Sequence, residues 1–198
     1  MAKRDTADRL TLQARRMGYP ARSVFKLEEI QNKFSVMKDR DHILDIGAAP
    51  GSWTLFASRM ILKKGGHVTA VDLKPDPFTP LPPGITYIQG DACTPDVLEQ
   101  LQDLGPFNVI LSDAAPDTTG NRTVDTARSE VLAEAVLNLA ADLLVEGGNL
   151  VVKLFQGGGE KQLLSMMQDM FSRAKPFKPK ASRNESFEIF LIGIGRRG

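Results

Sequence analysis

The stretch that decides the fold is Asp45-Ile46-Gly47-Ala48-Ala49-Pro50-Gly51-Ser52-Trp53. An apolar run from His42 to Ile46 predicts a buried strand, and the residues after Gly51 predict a helix. The two glycines between them allow a tight turn in which main-chain N–H groups come close to a ligand. The G-x-x-x-G spacing, with Pro50 inside it, differs from the G-x-G-x-x-G fingerprint of dinucleotide-binding folds. The stretch therefore predicts a strand–turn–helix junction that binds a nucleoside-like ligand other than a dinucleotide.

The composition is typical of a soluble, globular chain with one domain. The 198 residues are 42% hydrophobic and 25% charged, and they contain no run of about 18 apolar residues that would span a membrane. The polar first residues lack the apolar core of a signal peptide. We therefore expect a location in the cytoplasm, with an organellar matrix as the alternative. We also expect a monomer.

Metal and disulfide chemistry have little support in the sequence. Cys93 is the single cysteine, so an internal disulfide and a cysteine-based zinc site are both excluded. The expected role of Cys93 is that of a small buried residue at the end of a strand. His42 and His67 have no partners at the spacing of metal ligands. We therefore expect no metal ion.

Charge is unevenly distributed along a chain whose net charge is only +1. Residues 1–40 contain 10 Lys and Arg against 5 Asp and Glu, and residues 171–198 contain 7 against 2. Residues 41–170 contain 8 Lys and Arg against 17 Asp and Glu. Two basic ends flanking an acidic middle indicate that a polyanion such as RNA docks against the ends. Solvated charged termini are the alternative interpretation.

Apolar runs alternate with helical patterns through most of the chain. This alternation predicts a mostly parallel sheet with helices on both faces, and two late strands without a long helix between them predict an antiparallel edge hairpin. Thr94 is the predicted N-cap of the helix that begins at Pro95. The pattern predicts one domain, residues 36–198, with a basic helical extension, residues 1–35, packed on it. The predicted strands are 42–46, 67–71, 85–89, 107–111, 149–154, 175–178 and 186–194. The predicted helices are 6–16, 21–34, 52–62, 95–104, 126–144 and 160–171.

Four acids end or follow successive predicted strands, namely Asp45, Asp72, Asp91 and Asp113. Ligands of open parallel sheets bind beyond the carboxyl ends of the strands. An acid after the second strand can accept hydrogen bonds from both ribose hydroxyls, and an acid after the third can face the amino group of an adenine. Any one of these acids could instead be a turn or cap residue. Four of them on successive strands favour a ligand site.

The ligand that fits these acids contains ribose and adenine but no phosphate. The chain lacks the G-x-x-x-x-G-K-[ST] loop that binds nucleotide phosphates. A group of carboxylates also repels a pyrophosphate and tolerates a sulfonium cation. The sequence therefore predicts S-adenosylmethionine as the cofactor, with S-adenosylhomocysteine as its product.

Five motifs in order resemble those of the FtsJ/RrmJ family of S-adenosylmethionine-dependent RNA ribose 2′-O-methyltransferases, over about residues 18–195. They lie at residues 22–27, 45–53, 111–116, 152–155, and 180–183 with 186–188. Ser52, where relatives often have glycine, and Phe190, where tyrosine is frequent, depart from the pattern. The resemblance implies a class I methyltransferase fold. This is a Rossmann-like three-layer sandwich with a mostly parallel seven-stranded sheet and an antiparallel C-terminal edge hairpin.

The resemblance also implies a catalytic Lys-Asp-Lys-Glu tetrad, carried here by Lys26, Asp113, Lys153 and Glu188. Glu185 lies close to the last motif, but the segment Ser186-Phe187-Glu188-Ile189-Phe190 fits the motif better. We hypothesise that Lys153 is the base that removes the proton of the ribose hydroxyl and that Asp113 positions it. Lys26 and Glu188 hold the ribose in this hypothesis. A lysine inside an apolar strand is costly unless it is paired, which favours a functional role for Lys153.

Two further sets of site residues follow from the motifs and the basic ends. The predicted cofactor residues are Asp45, Gly47, Ala48, Pro50, Gly51, Ser52, Trp53, Asp72, Leu73, Asp91, Ala92 and Asp113. The predicted contacts to RNA phosphates are Arg15, Arg16, Arg22 and Arg183. Trp53 can either cover the cofactor or pack in the core.

The family resemblance implies methyl transfer to a ribose 2′-hydroxyl of RNA. The short chain resembles the branch that modifies large-subunit ribosomal RNA, with a uridine of the assembled or assembling subunit as the expected target. The alternatives are a tRNA or mRNA-cap 2′-O-methyltransferase and a ribosome-assembly factor without catalysis. A nicotinamide-dependent oxidoreductase is a further alternative, against which the missing dinucleotide fingerprint and the strand lysine argue.

Overall fold

The computed structural model describes residues 2–183 and 186–198, with the backbone alone for residues 2–8. The helices are α1 (Ala2–Arg16), α2 (Val24–Phe34), α3 (Ser52–Ile61), α4 (Pro95–Leu104), α5 (Arg122–Leu143) and α6 (Glu160–Met170), and a short 3₁₀ turn covers Leu62–Lys64. The strands are β1 (His42–Ile46), β2 (His67–Asp72), β3 (Ile85–Gln89), β4 (Phe107–Ser112), β5 (Leu144–Phe155), β6 (Phe171–Phe177) and β7 (Glu188–Arg196).

The strands form one seven-stranded sheet in the order β3-β2-β1-β4-β5-β7-β6. The first five strands in this order are parallel, and β7 pairs antiparallel with both β5 and β6. Apolar side chains on one face pack against α4, α5 and α6, and those on the other face pack against α2 and α3. The expected three-layer sandwich with an antiparallel C-terminal edge is therefore confirmed.

The N-terminal segment packs on the sheet through its second helix. Leu27 and Ile30 of α2 are fully buried in the same cluster as Trp53 and Ile61 of α3. A smaller cluster joins Ala14, Tyr19, Val24 and Phe25 to Ala181 near the other end of the chain. The two basic ends of the sequence therefore meet on the α2 side of the sheet. No helix among the described residues is long and apolar enough to cross a membrane.

Several boundaries differ from the sequence-based expectation, most clearly at α5 and β5. Helix α5 starts at Arg122 because Asn121 caps it, its side-chain oxygen accepting from the N–H groups of Thr123 (3.1 Å) and Val124 (3.4 Å). Strand β5 starts at Leu144 and passes through Gly147, whose φ is +78°. A shift in the β4–β5 register accommodates this irregular first part of the strand.

One expectation about the β3–α4 connection needs correction, and another needs a detail added. Cys93 is exposed rather than buried, because it lies in a turn where its N–H donates to Asp91 Oδ1 (2.9 Å). Thr94 is the N-cap residue of α4, as expected, but its hydroxyl accepts no hydrogen bond from the first turn of the helix. That hydroxyl donates instead to the main-chain oxygen of Asp91 (2.9 Å). The side chain of Asp91 thus organises the turn and remains at the surface.

Candidate active site

The turn after β1 is held close to its neighbours by glycines with positive φ. The N–H of Gly47 (φ +75°) donates to Val71 O of β2 at 2.9 Å, and a Cβ at this position would lie 2.6 Å from Ala114 Cβ. A Cβ on Gly51 (φ +100°) would meet the Phe78 ring at 2.6 Å. Any larger residue would therefore displace the loops that follow β4 and β2.

Asp72 joins the turn after β1 to the loop after β2. Its two carboxylate oxygens accept from the N–H groups of Ala49 (Oδ2, 2.8 Å) and Lys74 (Oδ1, 2.8 Å). The side chain is thereby fixed at the carboxyl edge of the sheet, where it lines a cavity. A carboxylate oxygen has two lone pairs, so each can accept a further bond from a ligand hydroxyl.

The cavity at the carboxyl ends of β1 to β4 has a volume of about 300 Å³. Of the predicted cofactor residues, Gly47, Asp72, Leu73, Asp91, Ala92 and Asp113 line it. Four acids line this space, namely Asp72, Asp91, Asp113 and Asp117, against a single lysine, Lys74. Cys93, main chain and apolar side chains such as Val71 and Leu132 form the rest of the wall. An anionic wall of this kind suits a cationic or neutral nucleoside and repels a phosphate.

Six of the predicted cofactor residues do not line the cavity, namely Asp45, Ala48, Pro50, Gly51, Ser52 and Trp53. Trp53 is 2% exposed. Its Nε1–H donates to Ser23 O (2.9 Å), and its ring lies 5.6 Å from that of Phe190. The hydroxyl of Ser52 accepts from Ala21 N (2.8 Å) and donates to Ala21 O (3.0 Å). Both side chains thus anchor the segment before α2.

Asp45 is buried behind the turn, with 1% of its surface exposed. Thr54 Oγ1 donates to its Oδ2 at 2.6 Å, whereas its Oδ1 has no hydrogen-bond partner among the residues that the structure describes. Burial raises the pKa of Asp45 to about 7, and the nearby charges of Asp113 and Asp72 act in the same direction. Asp45 therefore lies behind the glycine turn, bonded to α3 through Thr54, and can change its protonation state near neutral pH.

The four residues of the predicted tetrad lie together as two ion pairs. Lys26 Nζ lies 2.7 Å from Glu188 Oε1, and Lys153 Nζ lies 3.1 Å from Asp113 Oδ1. The ammonium of Lys153 also donates to the main-chain oxygen of Asp113 at 2.5 Å. The four side chains are between 9% and 18% exposed. Each lysine is thus held by a carboxylate and still borders solvent.

Sheet topology explains why these residues meet. Asp113 directly follows β4, Lys153 lies near the end of the adjacent β5, and Glu188 begins the antiparallel β7. Lys153 is paired with Phe190 across β5 and β7, so the two side chains share a face of the sheet. Lys26 comes from α2 on that face and lies 5.8 Å from the centre of the Phe190 ring.

The electrostatic environment keeps Glu188 ionised. Burial raises the pKa of its carboxyl, but the charge and hydrogen bond of Lys26 and the charge of Lys153 outweigh burial, so the pKa lies below its ordinary value. Because Lys153 acts on Glu188, the two ion pairs form one electrostatic unit. Glu185, the rejected alternative to Glu188, lies outside the described residues.

A second cavity of about 440 Å³ opens on the α2 side of the tetrad. Lys26, Glu188, Arg22 and Arg183 line it together with main chain and small side chains. Arg22 Nη2 donates to Ala181 O at 2.6 Å, so one end of its guanidinium is bonded to the C-terminal loop. Arg15 and Arg16 are exposed at the end of α1 and do not line this cavity.

Glu29 and Thr54 support the site, although the sequence reasoning missed both residues. The carboxylate of Glu29 accepts from the N–H groups of Lys180 and Ala181, at 2.8 Å each, and so fixes the loop that carries Arg183. Its partners lie more than 150 residues further along the sequence, so no local sequence pattern predicts these bonds. Thr54 lies in the first turn of α3, nine residues after Asp45. That short separation was the one feature of the sequence that could have indicated the contact.

No group of three or more His, Cys, Asp or Glu side chains suited to a metal ion occurs in the described part of the chain. His42 Nε2 lies 3.2 Å from Thr69 Oγ1, and His67 Nε2 lies 2.9 Å from Thr86 Oγ1. Burial lowers the pKa of both histidines. The two rings thus pack as neutral groups at the amino ends of β1 and β2, away from the tetrad.

The sheet order, the glycine turn and the acid-lined cavity define a Rossmann-like methyltransferase fold. Residues 19–196 match the model of the FtsJ-like methyltransferase family. Because this match covers most of the chain, the protein belongs to the FtsJ-like methyltransferase family.

Individual proteins agree with this assignment. The chain is 47% identical to the ribosomal RNA large subunit methyltransferase E of Treponema denticola, over 91% of this chain and 90% of the relative. A solved Plasmodium falciparum protein, assigned as a ribosomal RNA methyltransferase, has a TM-score of 0.79 at 26% identity. The likeness covers 91% of this chain and 100% of that one. Aeropyrum pernix fibrillarin, solved with S-adenosyl-L-methionine, shares the fold with a TM-score of 0.59 at 19% identity, over 79% of this chain and 67% of fibrillarin.

Proposed function

We propose that this protein transfers the methyl group of S-adenosylmethionine to a ribose 2′-hydroxyl of RNA. The proposed target is a uridine of large-subunit ribosomal RNA within the assembled or assembling subunit. Membership of a methyltransferase family and the similarity to enzymes named for this RNA support the proposal. The observation that carries it is the position of the tetrad between the two cavities, since Asp113 lines one while Lys26 and Glu188 line the other.

The acid-lined cavity fits the cofactor on chemical grounds. Asp72 is fixed by two N–H groups and can still accept from ribose hydroxyls, while Asp91 and Ala92 border the end suited to an adenine. When bound, S-adenosylmethionine supplies an electrophilic methyl group on a positively charged sulfur. Asp113 contributes a negative charge beside that position, and the absence of a lysine-bearing phosphate loop agrees with a ligand that has no phosphate.

The proton of the ribose hydroxyl is removed by Lys153 in our proposal. A lysine can act as a base only in its neutral form, and Asp113 holds the Nζ atom through two contacts, at 2.5 and 3.1 Å. Lys26 and Glu188 lie beside it in the second cavity and orient the ribose. Because both pairs have fixed geometry before the substrate binds, the attacking oxygen and the base are aligned without reorganisation.

The RNA backbone is held by the basic rim of the second cavity in this proposal. Arg22 and Arg183 line that cavity, and Arg15 and Arg16 extend the positive surface at the end of α1. Arginines on such a rim bind phosphates and position the RNA without reading its sequence. Residues 1–35 thus serve as the RNA-docking part of the one domain.

A monomer in the cytoplasm completes the proposal. A single chain lines both cavities and supplies all four tetrad residues, which supports a monomeric enzyme. A bacterial relative named for large-subunit ribosomal RNA supports a location where ribosomes assemble.

The test is methyl transfer from labelled S-adenosylmethionine to three RNAs, followed by mapping of the 2′-O-methyl positions. Unmodified large ribosomal subunits, protein-free ribosomal RNA and tRNA are compared, with Lys153→Met as the control for background labelling. We expect a single labelled uridine in large-subunit RNA, with the subunit as the best substrate. Labelling of tRNA alone would overturn the target, and intact cofactor binding without transfer to any RNA would favour an assembly factor.

A further inference from the structure

An arginine and a phenylalanine form a cation–π pair beside the tetrad, on the face of the sheet opposite to Lys26. The Cζ atom of Arg122 lies 5.2 Å from the centre of the Phe187 ring. The Phe187 ring lies in turn 4.7 Å from that of Phe155. Arg122 is exposed and Phe187 is half-buried. We name Arg122 and Phe187 the Arg–Phe shelf.

The position of Phe187 in the chain places the shelf next to the reacting groups. Phe187 directly precedes Glu188, and its main-chain oxygen accepts from Gln156 N at 2.8 Å, which continues the β5–β7 ladder. The ring of Phe187 contacts Arg122 at the start of α5, whereas Glu188 contacts Lys26 of α2, so the two neighbouring side chains lie on opposite sides of the sheet. The shelf and the arginine-lined cavity therefore flank the tetrad from its two sides.

The main chain on which the shelf is built is held firmly. Asp125 of α5 accepts from Thr119 N (2.7 Å), Thr119 Oγ1 (2.8 Å) and Gly120 N (3.2 Å). This arrangement fixes the loop that enters α5, and the Asn121 cap fixes the first turn of the helix. Arg122 is the first residue of that turn, so its backbone is ordered before any ligand arrives. A preorganised contact of this kind binds at a lower entropic cost.

The surroundings of the shelf do not suit a phosphate. The N–H groups of Gly157 and Gly158 donate to the two oxygens of Glu160, at 2.8 and 2.9 Å. The N–H of Gly159 donates to Glu130 Oε1 at 2.5 Å. Two carboxylates thus occupy the N–H groups of the three glycines, and their charges also offset that of Arg122, which lies close enough to lower the pKa of Glu160. The planar faces of the guanidinium and the phenyl ring instead suit a flat, uncharged group.

An open groove of about 540 Å³ continues from the shelf along α5. Arg122, Thr123, Thr126 and Glu130 form one side of this groove, and Gly157 and Gly158 form the other. Its polar rim offers hydroxyl and carboxylate groups that can pair with the edge of a base. Single-stranded RNA is recognised in this way, by stacking on aromatic rings or on arginine planes with hydrogen bonds to the base edges.

We propose that the Arg–Phe shelf stacks an unpaired RNA base that neighbours the methylated nucleotide. The inference rests on the proposed function, because it assumes that RNA crosses the tetrad. The arginine-lined cavity on the α2 side then holds phosphates, and the shelf on the α5 side holds a base. Holding the phosphates on one side and a base on the other orients the RNA strand and determines which ribose reaches Lys153.

The test compares four variants for binding of the unmodified ribosomal RNA substrate, with S-adenosylhomocysteine present. Arg122→Ala and Phe187→Leu each remove one stacking face, and we expect each to weaken RNA binding about tenfold. Arg122→Lys keeps the charge but loses the plane, so we expect a similar loss. Arg128→Ala removes an exposed arginine from the same helix and should stay within about twofold of the wild type.

The affinities of these variants distinguish base stacking from a simple charge contact. Wild-type affinity in Arg122→Lys combined with a loss in Arg122→Ala would show a charge contact and overturn base stacking. Equal effects of Arg122→Ala and Arg128→Ala would also overturn it. Phe187→Leu keeps the apolar contact with Phe155, and cofactor affinity reports whether the fold is intact.

The proposed function is tested separately in the same samples. If the wild type methylates the RNA while the shelf variants bind it normally, the shelf inference fails alone. If the wild type binds RNA without methylating it, the proposed function fails, and the affinity ratios still decide the role of the shelf. If the wild type does not bind RNA, both proposals fail.

Discussion

Lys26 Nζ and Glu188 Oε1 lie 2.7 Å apart and join α2 to the first residue of β7. Burial raises the pKa of Glu188, but Lys26 outweighs burial and the pKa lies below its ordinary value. A carboxyl with a lowered pKa stabilises the fold above its ordinary pKa, and this stabilisation is lost as the pH falls through the lowered value. The pair therefore links the helix and the strand only while Glu188 is ionised.

The first prediction concerns the acid side of the stability profile. In Glu188→Gln the group cannot ionise, so we expect the free energy of unfolding to be lower than that of the wild type at neutral pH. The difference should shrink as the pH falls through the lowered pKa of Glu188, where the wild-type carboxyl also becomes neutral. Denaturant unfolding at a series of pH values measures this difference, and a constant difference across that range would contradict the prediction.

The second prediction concerns the base. Arginine in place of Lys153 keeps a positive charge that is not lost at any accessible pH. We therefore expect kcat of Lys153→Arg to fall at least about 100-fold, the usual minimum for losing a general base. The affinity for S-adenosylhomocysteine should stay near that of the wild type. Lys175→Arg, which changes an exposed lysine of β6, serves as the matched control.

The pH–rate profile separates chemistry from packing in the same variant. If Lys153 is the base, the rising limb of the profile should disappear in Lys153→Arg. Activity close to that of the wild type, with an unchanged limb, would rule out Lys153 as the base. The ion pair with Asp113 would then have a positioning role.

The third prediction concerns cofactor affinity. Asp72→Ala removes the acceptor of two main-chain N–H groups and the carboxylate that faces the cavity. We expect S-adenosylmethionine to bind about 10- to 100-fold more weakly, the range for losing hydrogen bonds to a charged group. Asp76→Ala is the control, because Asp76 accepts from Phe78 N (2.8 Å) in the same loop and does not line the cavity. Equal losses of affinity, measured by calorimetry, would indicate loop disruption.

Much of the candidate site follows from the order of strands along the chain. Asp113 and Lys153 could be expected to meet because they lie at or after the carboxyl ends of two strands, and parallel strands end at the same edge. Glu188 joins them because β7 runs antiparallel and begins at that edge. Asp72 ends β2 and Asp91 follows β3, so both also reach the carboxyl edge of the sheet, where they line the cavity.

The orientation of single side chains could not be predicted in the same way. Trp53 belongs to the cofactor turn, but the rotation of α3 directs it into the core, toward Phe190. Cys93 follows a strand, but the turn around Asp91 leaves it exposed. Glu29 binds a loop that is distant in sequence. Each of these orientations depends on how separate elements pack, and periodicity does not report packing between elements.

The last prediction concerns Asp45, which lies behind the cofactor turn. Burial raises its pKa to about 7, with smaller contributions from Asp113 and Asp72. A carboxyl with a raised pKa stabilises the fold fully below its ordinary value of 3.8, and the stabilisation is lost as the pH rises through about 7. An asparagine at this position would stay neutral, so Asp45→Asn should gain stability relative to the wild type over this range, on the order of 4 kcal/mol for full burial.

Thr54→Val provides the internal check, because the bond from Thr54 Oγ1 to Asp45 Oδ2 lowers the pKa of this carboxyl. Without that bond the pKa of Asp45 should rise further, so the pH-dependent loss of stability should begin at the same pH and extend to higher pH. In the double variant with Asp45→Asn this pH dependence should be absent. Chemical unfolding between about pH 4 and pH 8 is measured for the wild type, the two single variants and the double variant. Parallel stability profiles for the wild type and Asp45→Asn would show that Asp45 is ionised throughout and that its orphaned oxygen is solvated.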